Sequence, residues 1–514
     1  MPRLEPLPEP PRLVDHRALG ATLAVAGVAM LLALWPVIRS HGFSEHDAAF
    51  SAAQMGWLQR VMLSGGPLWE APLGYPGVEG TTLADWVFLQ AALTLPWHGA
   101  GPEVAWAAAS LLGLAVTALG AAFAARRLLG DGPQLLPAVL VLAVGPTVIP
   151  HLAHANLLYT GIGLFAAGLA AGTRRQAFAA GVLLAVAFHA GMYTGLRAGA
   201  LLAAVLAARR DARAATAVAA GFVLVLPTLV PVYLRYAAVS GEQRVDAMEN
   251  LKNSVDLSRV LSPVADSPLH KAIFGSAGLP SSAALPGYAV SIVGLGGLWL
   301  RRRTPAWRLV ALGGAGCFVL ALGSPLQLDG HPTGVSGPWI VVDMLAQHRL
   351  RGPDRWLVYS HLALALGAGA ALATLAPRAR WPAALALTIL FLLESPHPRR
   401  SAAARWPAEV TDAAAAIPGS GPLWNIPGHD ACADGEYVAA LTLERPLAGG
   451  SYARFEEALA AVNRLARRWP ARPAPAWARD HAGLVVEHPP LRGEDPPAFD
   501  CVRAAGHRLC VPET

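Results

Sequence analysis

Charged residues are scarce in this chain, and that scarcity excludes an ordinary soluble protein. Asp, Glu, Lys and Arg make up 14% of its 514 residues, whereas soluble globular proteins carry about 25%. Hydrophobic residues make up 54%, and the mean hydropathy is positive. Lysine occurs only at Lys252 and Lys271, and arginine is spread in small clusters between apolar stretches. This spacing does not form the basic patch of a nucleic-acid-binding protein, and the composition predicts a polytopic membrane protein.

Several common functional motifs are also absent. The sequence has no zinc-ligand spacing, Walker loop, dinucleotide-binding glycine pattern or nucleophile elbow. The lack of a nucleotide motif argues against an ATP-driven pump. The apolar stretches contain almost no acids and show no inverted repeats, which counts against a transporter coupled to protons or sodium ions.

The placement of arginine predicts the topology. Apolar stretches lie approximately at residues 18–38, 82–97, 103–125, 133–150, 157–171, 176–208, 214–235, 286–300, 306–323, 356–376 and 381–394. The arginine clusters are Arg126/Arg127, Arg174/Arg175, Arg209/Arg210/Arg213, Arg301/Arg302/Arg303 and Arg378/Arg380. Short arginine-rich loops belong to the cytoplasm. All five clusters are cytoplasmic if residues 176–208 form a hairpin of two spans that turns near Gly191 to Arg197, and if residues 82–97 lie on the outer interface without crossing.

These choices give eleven spans, with the first apolar run retained as an anchor and the N-terminus in the cytoplasm. In the alternative, residues 82–97 cross and the arginine rule fails somewhere. The predicted fold is mainly α. It consists of a transmembrane domain at residues 1–394, with external loops 39–102, 236–285 and 324–355, and a small extracytoplasmic α/β domain at residues 395–514. Of the cysteines, Cys317 lies in a span. Cys432, Cys501 and Cys510 lie in the tail, where one disulfide is allowed. Cys501 and Cys510 bracket a possible hairpin, and the pairing stays open.

Two acids follow the first span, in the segment His41-Gly-Phe-Ser-Glu-His-Asp47. Carboxylates at a membrane face are candidates for a functional site. Glu45 or Asp47 could instead cap the helix that follows. Within the hairpin, His189 and Arg197 could form a polar patch beneath the external loops.

Several stretches along the chain are similar to the GT-C superfamily, and specifically to a group of poorly characterised bacterial members. These stretches are residues 74–86, 151–154, 322–325, 350–356 and 445–454. GT-C proteins are integral membrane glycosyltransferases that use lipid-phosphate sugar donors. The resemblance implies a catalytic base at Asp47, with Glu45 as second choice. The motif reads Glu45-His46-Asp47, whereas paired acids or Asp-x-Asp forms are more usual in the family. The resemblance allows a divalent cation (Mg²⁺ or Mn²⁺) as cofactor, and this departure counts against the cation more than against a base at Asp47.

The chemistry of a lipid-phosphate donor suggests the substrate-binding residues. Arginine meets two phosphate oxygens at once, which makes Arg349, Arg351 and Arg355 candidates for the phosphate. The other candidates are His46, Asp85, Trp86 and His154. Five of them have an alternative role: interfacial anchoring for Arg351 and Arg355, helix capping for Asp85, a structural histidine for His154 and an aromatic belt for Trp86.

The sequence therefore predicts a multi-pass protein of the bacterial cytoplasmic (inner) membrane. Its predicted activity is inverting transfer of a hexosyl or pentosyl group from a polyprenyl-phosphate-type donor to a cell-envelope glycan, lipid or protein. One alternative is a non-catalytic GT-C-like protein that binds or assembles lipid-linked envelope glycans, and another is a transporter.

Overall fold

The structure is a computed structural model of the chain. It describes residues 15–40, 46–66, 68, 87–149, 157–239, 250–251, 253–262, 267–274, 284–346, 350, 352–396, 408–417, 423–426, 443, 447–448, 484–487, 499–504 and 507–512. The helices are α1 His16–Ser40, α2 His46–Ser64, α3 Phe88–Leu93, α4 Pro102–Leu129, α5 Leu136–Val144, α6 Thr160–Ala170, α7 Arg174–Ala190, α8 Met192–Arg209, α9 Ala212–Val239, α10 Pro268–Phe274, α11 Tyr288–Arg301, α12 Pro305–Ala321, α13 Trp339–Leu345, α14 Leu357–Ala373, α15 Pro377–Glu394 and α16 Ala408–Ala416.

Eleven of these described helices coincide with the eleven predicted spans: α1, α4 to α9, α11, α12, α14 and α15. By length and composition, four described segments can cross a membrane: His16–Trp35, Pro102–Leu129, Ala212–Arg235 and Pro353–Ala373. Shorter apolar helices accompany them. The protein is therefore a multi-pass, mainly helical membrane protein, as predicted.

The predicted hairpin and the predicted interfacial helix both have counterparts in the structure. Helices α7 and α8 meet at Gly191, whose φ of 156° is a conformation that favours glycine. Helix α3 has six residues and is therefore about 9 Å long. A short 3₁₀ helix, Leu95–Ala100, follows it. Neither element is long enough to cross the roughly 30 Å hydrocarbon core.

The five arginine clusters lie at one end of the helix bundle, which we call the arginine end. Arg209 donates to the carbonyls of Ala170 and Gly172, the latter at 2.8 Å, and it lies close enough to repel Arg127. Arg174 and Arg175 are the first two residues of α7, directly after the turn that contains Gly172. The end of α8 and the α6–α7 turn therefore join the end of α4.

The second half of the chain reaches the same end. Gly294 and Gly297 of α11 pack against Leu364 and Gly367 of α14, so these two helices run parallel. Gly369 of α14 packs against the Gln134 carbonyl, and Gln134 donates to the Leu129 carbonyl at 3.1 Å, beside Arg126. The clusters at residues 301–303 and 378–380, which follow α11 and α14, therefore share the arginine end.

The long segments between helices gather at the opposite end, which we call the loop end. Helices α7, α12 and α15 begin at the arginine end and finish at the loop end. There Gln90 Nε2 donates to the Ala190 carbonyl at 2.7 Å, the Val255 N–H donates to the Ala321 carbonyl at 2.9 Å, and Glu394 accepts from the Ala289 N–H at 3.0 Å. The described parts of loops 39–102, 236–285 and 324–355 therefore share one end, as the arginine rule requires.

Close packing between small residues holds the bundle together. All nine residues of α5 are buried, so this short helix lies at the centre. Gly120 of α4 approaches the backbone at Gly161 of α6, where a side chain on either glycine would collide with the other helix. Membrane helices have no hydrophobic driving force between them, so close van der Waals contact of this kind stabilises their packing.

A five-stranded sheet lies near the C-terminus, as the predicted α/β tail requires. The first two strands of the chain, β1 Gln327–Leu328 and β2 His331–Pro332, form a separate hairpin. The strands of the sheet are β3 Leu423–Ile426, β4 Leu447–Ala448, β5 Leu484–Glu487, β6 Phe499–Ala504 and β7 His507–Pro512. The order is β4-β3-β5-β7-β6; β4, β3 and β5 are parallel, and β7 is antiparallel to β5 and β6. A disulfide joins Cys501 to Cys510 across the hairpin. Cys432 lies outside the described residues, and the domain boundary at residue 394 stays a prediction.

Candidate functional site

Arg355 lies at the loop end, in the short 3₁₀ helix Pro353–Trp356 that leads into α14. Its guanidinium carbon is 4.3 Å from the centre of the Tyr193 ring, a cation–π distance. Its Nη1 is buried, and no atom of the described residues accepts a hydrogen bond from it. A buried guanidinium nitrogen without an acceptor is costly, so this atom is poised for an acceptor from outside the protein.

A second arginine, Arg197, lies beside it and is 4% exposed. Gly191 directly precedes α8, and Arg197 lies in the second turn of that helix. Its Nε donates to the Tyr193 carbonyl at 3.3 Å and its Nη1 to the Arg355 carbonyl at 3.4 Å. A charged residue inside a membrane span is expensive and marks a functional site by default. The structure thus brings two guanidinium groups from distant parts of the sequence together.

Both arginines line one narrow cavity. Its lining is Thr117, Leu142, Thr147, Val148, Leu158, Thr160, Arg197, Arg355 and Val358. Thr117 Oγ1 is engaged, because it donates to the Leu158 carbonyl and accepts from the Gly161 N–H. Thr147 Oγ1 is buried and has no partner among the described residues. The cavity therefore offers a guanidinium N–H and a hydroxyl group between apolar walls.

The charge of the site favours an anion. Asp354 interacts electrostatically with both Arg197 and Arg355, so two guanidinium groups and one carboxylate leave an excess of one positive charge. Guanidinium groups bind phosphate or carboxylate oxygens through charge-assisted hydrogen bonds. Apolar surroundings strengthen such bonds because they exclude water.

A carboxylate clasp fixes the backbone next to Arg355. Asp256 accepts hydrogen bonds from the Gly330 N–H at 2.6 Å, from the Ser258 N–H and Oγ at 2.9 and 2.6 Å, and from the Asp329 N–H at 3.2 Å. Burial by itself raises the pKa of Asp256, but these bonds outweigh it and the pKa lies below its ordinary value.

The clasp joins two loops at the loop end. It holds the hairpin of β1 (Gln327–Leu328) and β2 (His331–Pro332) against residues 253–262. The Asn253 carbonyl in turn accepts from the Asp354 N–H at 2.9 Å. The clasp therefore supports the backbone that carries Arg355.

Of the predicted site residues, Arg355 lies in the cavity. His46 and Asp47 are the first two residues of α2, a position where an acid also complements the helix dipole. Their side chains lie outside the description. The other predicted site residues lie outside the described residues altogether: Glu45, Asp85, Trp86, His154, Arg349 and Arg351. The roles predicted for all of these residues stay predictions.

Helix α2, which carries Asp47, is anchored at the loop end. Gln59 is fully buried and its Nε2 donates to the Ala91 carbonyl at 3.3 Å and to Thr94 Oγ1 at 3.0 Å. Gln90 of α3 then bonds to Ala190, next to the Gly191 turn. The first loop and the arginine cavity are therefore attached to the same turn.

The two residues of the predicted polar patch at the hairpin, His189 and Arg197, have separate surroundings. Arg197 faces the cavity, whereas His189 Nε2 pairs with Thr228 Oγ1 of α9 at 2.8 Å and its ring lies 6.1 Å from that of Phe88. Sequence reasoning missed Tyr193 and the cavity threonines, because an aromatic residue or a threonine in an apolar run carries no distinctive signal. Among the described residues, no group of three or more His, Cys, Asp or Glu could hold a metal ion.

Two solved membrane glycosyltransferases have a similar fold. The crystal structure of ArnT from Cupriavidus metallidurans bound to undecaprenyl phosphate is 14% identical, with a TM-score of 0.52 over 98% of this chain and 99% of that chain. The apo form gives 14% and a TM-score of 0.50 over 96% and 97%. The cryo-EM structure of the arabinofuranosyltransferase AftD from Mycobacteria is 14% identical, with a TM-score of 0.57 over 98% of this chain but 40% of that chain.

The chain thus has the polytopic helical membrane fold of ArnT and AftD, which confirms the fold expected from the resemblance. An identity of 14% shows the fold alone. No family profile matches the sequence, and neither does any curated protein.

Proposed function

We propose that this chain is a membrane glycosyltransferase that transfers a sugar from a polyprenyl-phosphate-type donor to a cell-envelope acceptor. The observation that carries the proposal is the cavity shared by Arg197 and Arg355, in which Arg355 Nη1 has no described acceptor. The similar fold of ArnT, whose crystal structure contains undecaprenyl phosphate, supports a lipid phosphate as the missing acceptor.

The cavity suits the leaving group of this reaction. When the acceptor oxygen attacks the anomeric carbon, the bond from that carbon to the phosphate oxygen breaks, and the phosphate keeps the electron pair. Guanidinium groups that already face the phosphate stabilise the developing charge without reorganisation. Because the cavity lies at the end of membrane helices, the lipid tail can stay in hydrocarbon while the phosphate reaches Arg355.

Asp47 is our candidate for the base that takes the proton from the acceptor hydroxyl, with Glu45 as second choice. Support comes from the position of α2, which begins at His46 and is anchored at the same end of the bundle as the cavity. The candidate metal, Mg²⁺ or Mn²⁺, has no role in this proposal, because the arginines already supply positive charge to the phosphate.

We further propose that the loop end faces outward from the bacterial cytoplasmic membrane. The arginine clusters support this orientation through the positive-inside rule. The Cys501–Cys510 disulfide supports it as well, since disulfides persist in oxidising compartments such as the periplasm.

Binding of undecaprenyl phosphate to the purified, detergent-solubilised chain tests the proposal. We expect Arg355→Ala to weaken binding at least about tenfold, which corresponds to about 1.4 kcal/mol. Arg303→Ala, at the arginine end, is the matched control and should leave the dissociation constant unchanged. Equal affinity in the wild type, Arg355→Ala and an Arg197→Ala variant would remove the basis of the proposal.

A further inference from the structure

Helix α13 has an unusual distribution of exposed residues for a loop segment. Trp339 is 1% exposed and fixes the helix to the protein, and Val342 and Asp343, one turn later on the same face, are half-buried. The other face carries Val341, Met344 and Leu345, which are 58%, 64% and 81% exposed. A helix that rests on a protein and faces water normally presents polar residues outward, so water is not the expected neighbour of this outer face.

The acidic residue of α13 does not make the outer face polar. Asp343 lies on the inner face, where its Oδ1 accepts from Asn250 Nδ2 at 3.5 Å. The same asparagine donates to the Leu350 carbonyl at 3.3 Å, so α13 is tied to the backbone that leads to Arg355. The outer face therefore remains wholly apolar.

Helix α13 lies next to the end of a predicted membrane span. Helix α12 exposes the apolar residues Leu312 and Val319 and ends at Ala321. Directly after it, Gly337 packs so closely on the Gly323 carbonyl that a side chain there would collide with it. Helix α13 begins two residues later, so it lies beside the loop-end terminus of α12, a predicted membrane span.

The dimensions of α13 agree with a position at the membrane surface. Its seven residues span about 10 Å, too short to cross the membrane. Helices at a membrane surface that carry an apolar face can lie in the plane of the interface, with that face in the boundary between headgroups and acyl chains. We infer that the outer face of α13, formed by Val341, Met344 and Leu345, is embedded in the loop-end leaflet and contacts lipid acyl chains. This inference does not depend on the proposed glycosyltransferase activity.

Spin labelling of the full chain in phospholipid nanodiscs (phosphatidylethanolamine and phosphatidylglycerol) tests the inference. Nitroxides are attached to Met344→Cys or Leu345→Cys in a Cys317→Ser, Cys432→Ser background that retains the Cys501–Cys510 disulfide. Collisions of the nitroxide with oxygen report that it lies in lipid, and its collisions with a water-soluble nickel chelate report that it lies in water. We expect oxygen collisions to exceed nickel collisions several-fold at both sites.

Two labelled positions calibrate the measurement. Leu312→Cys, in the exposed face of α12, gives the lipid value, and Asp412→Cys, exposed on α16, gives the aqueous value. Nickel access at residues 344 and 345 equal to that at residue 412 would overturn the inference. Loss of both collision rates, with or without spin–spin broadening between chains, would overturn it as well, because a protein partner or a second copy would then cover the face.

A measurement on the unsubstituted chain guards against misfolded variants. Phospholipids with a photoactivatable diazirine on the acyl chain are incorporated into the same nanodiscs, and crosslinked peptides are identified by mass spectrometry. We expect crosslinks in residues 341–345. Crosslinks in α12 without any in residues 341–345 would contradict the inference.

Discussion

The guanidinium carbon of Arg355 lies 4.3 Å from the centre of the Tyr193 ring. One turn later on the same helix, Arg197 donates to the Arg355 carbonyl at 3.4 Å. Helix α8 therefore contacts both the side chain and the backbone of Arg355. The orientation of Arg355 is set by the α7–α8 hairpin, which lies more than 150 residues earlier in the sequence.

The Tyr193 ring should orient Arg355 for phosphate. We expect Tyr193→Leu to weaken undecaprenyl phosphate binding about 2- to 30-fold, because a cation–π contact contributes about 0.5–2 kcal/mol. Tyr193→Phe keeps the ring and should have a smaller effect. Both dissociation constants can be measured by native mass spectrometry. If Phe weakened binding as much as Leu, the hydroxyl group and not the ring face would be the important feature.

Arg197 should matter more for binding than for stability. Removal of Arg197 abolishes the cost of burying its charge, and Asp354 still has Arg355 as a charged partner, so its carboxylate is not left uncompensated. We therefore expect Arg197→Met to keep the apparent melting temperature of the solubilised protein while binding of undecaprenyl phosphate falls about tenfold or more. The two readouts separate the roles. A large drop in melting temperature with unchanged binding would assign Arg197 to structure alone.

Asp256 should make stability depend on pH. Its pKa is lower in the folded protein than its ordinary value, which is about 3.9 in the unfolded chain. Because the pKa is lower in the folded protein, the ionised carboxylate stabilises the fold fully at pH values above the unfolded pKa. This stabilisation is lost as the pH falls through the folded pKa. We expect Asp256→Asn to lose this contribution at neutral pH, because the amide nitrogen cannot accept from the backbone N–H groups.

Melting curves of the solubilised protein between pH 3 and 7 check this expectation. The wild type should exceed Asp256→Asn most at neutral pH, and the difference should narrow toward pH 3. Asp412→Asn, an exposed acid of α16, is the control and should follow the wild type throughout. A difference independent of pH would mean that packing, and not the charge of the carboxylate, carries the contribution of Asp256.

The arginine end and the loop end should lie on opposite sides of the membrane. In intact bacterial cells, an impermeant maleimide should label Asp329→Cys, in the exposed β1–β2 turn, and should not label Arg303→Cys until the cells are lysed. Both variants belong in the Cys317→Ser, Cys432→Ser background. The reverse labelling pattern would place the cavity toward the cytosol and contradict the proposed orientation.

The positions of the helices and the common end of the arginine clusters were predictable, because apolar run length reflects the thickness of the bilayer and short arginine-rich loops favour one side of it. Gly191 illustrates this: the run at residues 176–208 is too long for one span, and glycine is the residue that tolerates the turn between α7 and α8. Helices α5 and α6 coincide with two predicted spans, although each is shorter than the bilayer is thick, because both lie in continuous apolar stretches.

The site was predictable only where a residue type was out of place. Arg355 at a span entrance and Arg197 within a span both break the apolar pattern, so both attracted attention. Tyr193 and Thr147 did not, since their contribution comes from contacts between helices that are distant in sequence. The clasp at Asp256 was equally hidden, because its four donors come from two loops. Such pairings depend on tertiary packing, which a single sequence does not specify locally.

Asp47 distinguishes a transferase from a protein that only binds lipid-linked glycans. We expect Asp47→Asn to abolish sugar transfer from labelled polyprenyl-phosphate sugars in membranes, with a loss of at least about 100-fold, the range for a lost general base. Undecaprenyl phosphate binding should persist, because the arginine cavity is untouched. Glu45→Gln is the companion variant and should retain most of the transfer.

If Asp47→Asn transferred sugar at the wild-type rate while Glu45→Gln did not, the base would be Glu45. If the wild type itself bound undecaprenyl phosphate but transferred no sugar, the cavity would belong to a binding or assembly component.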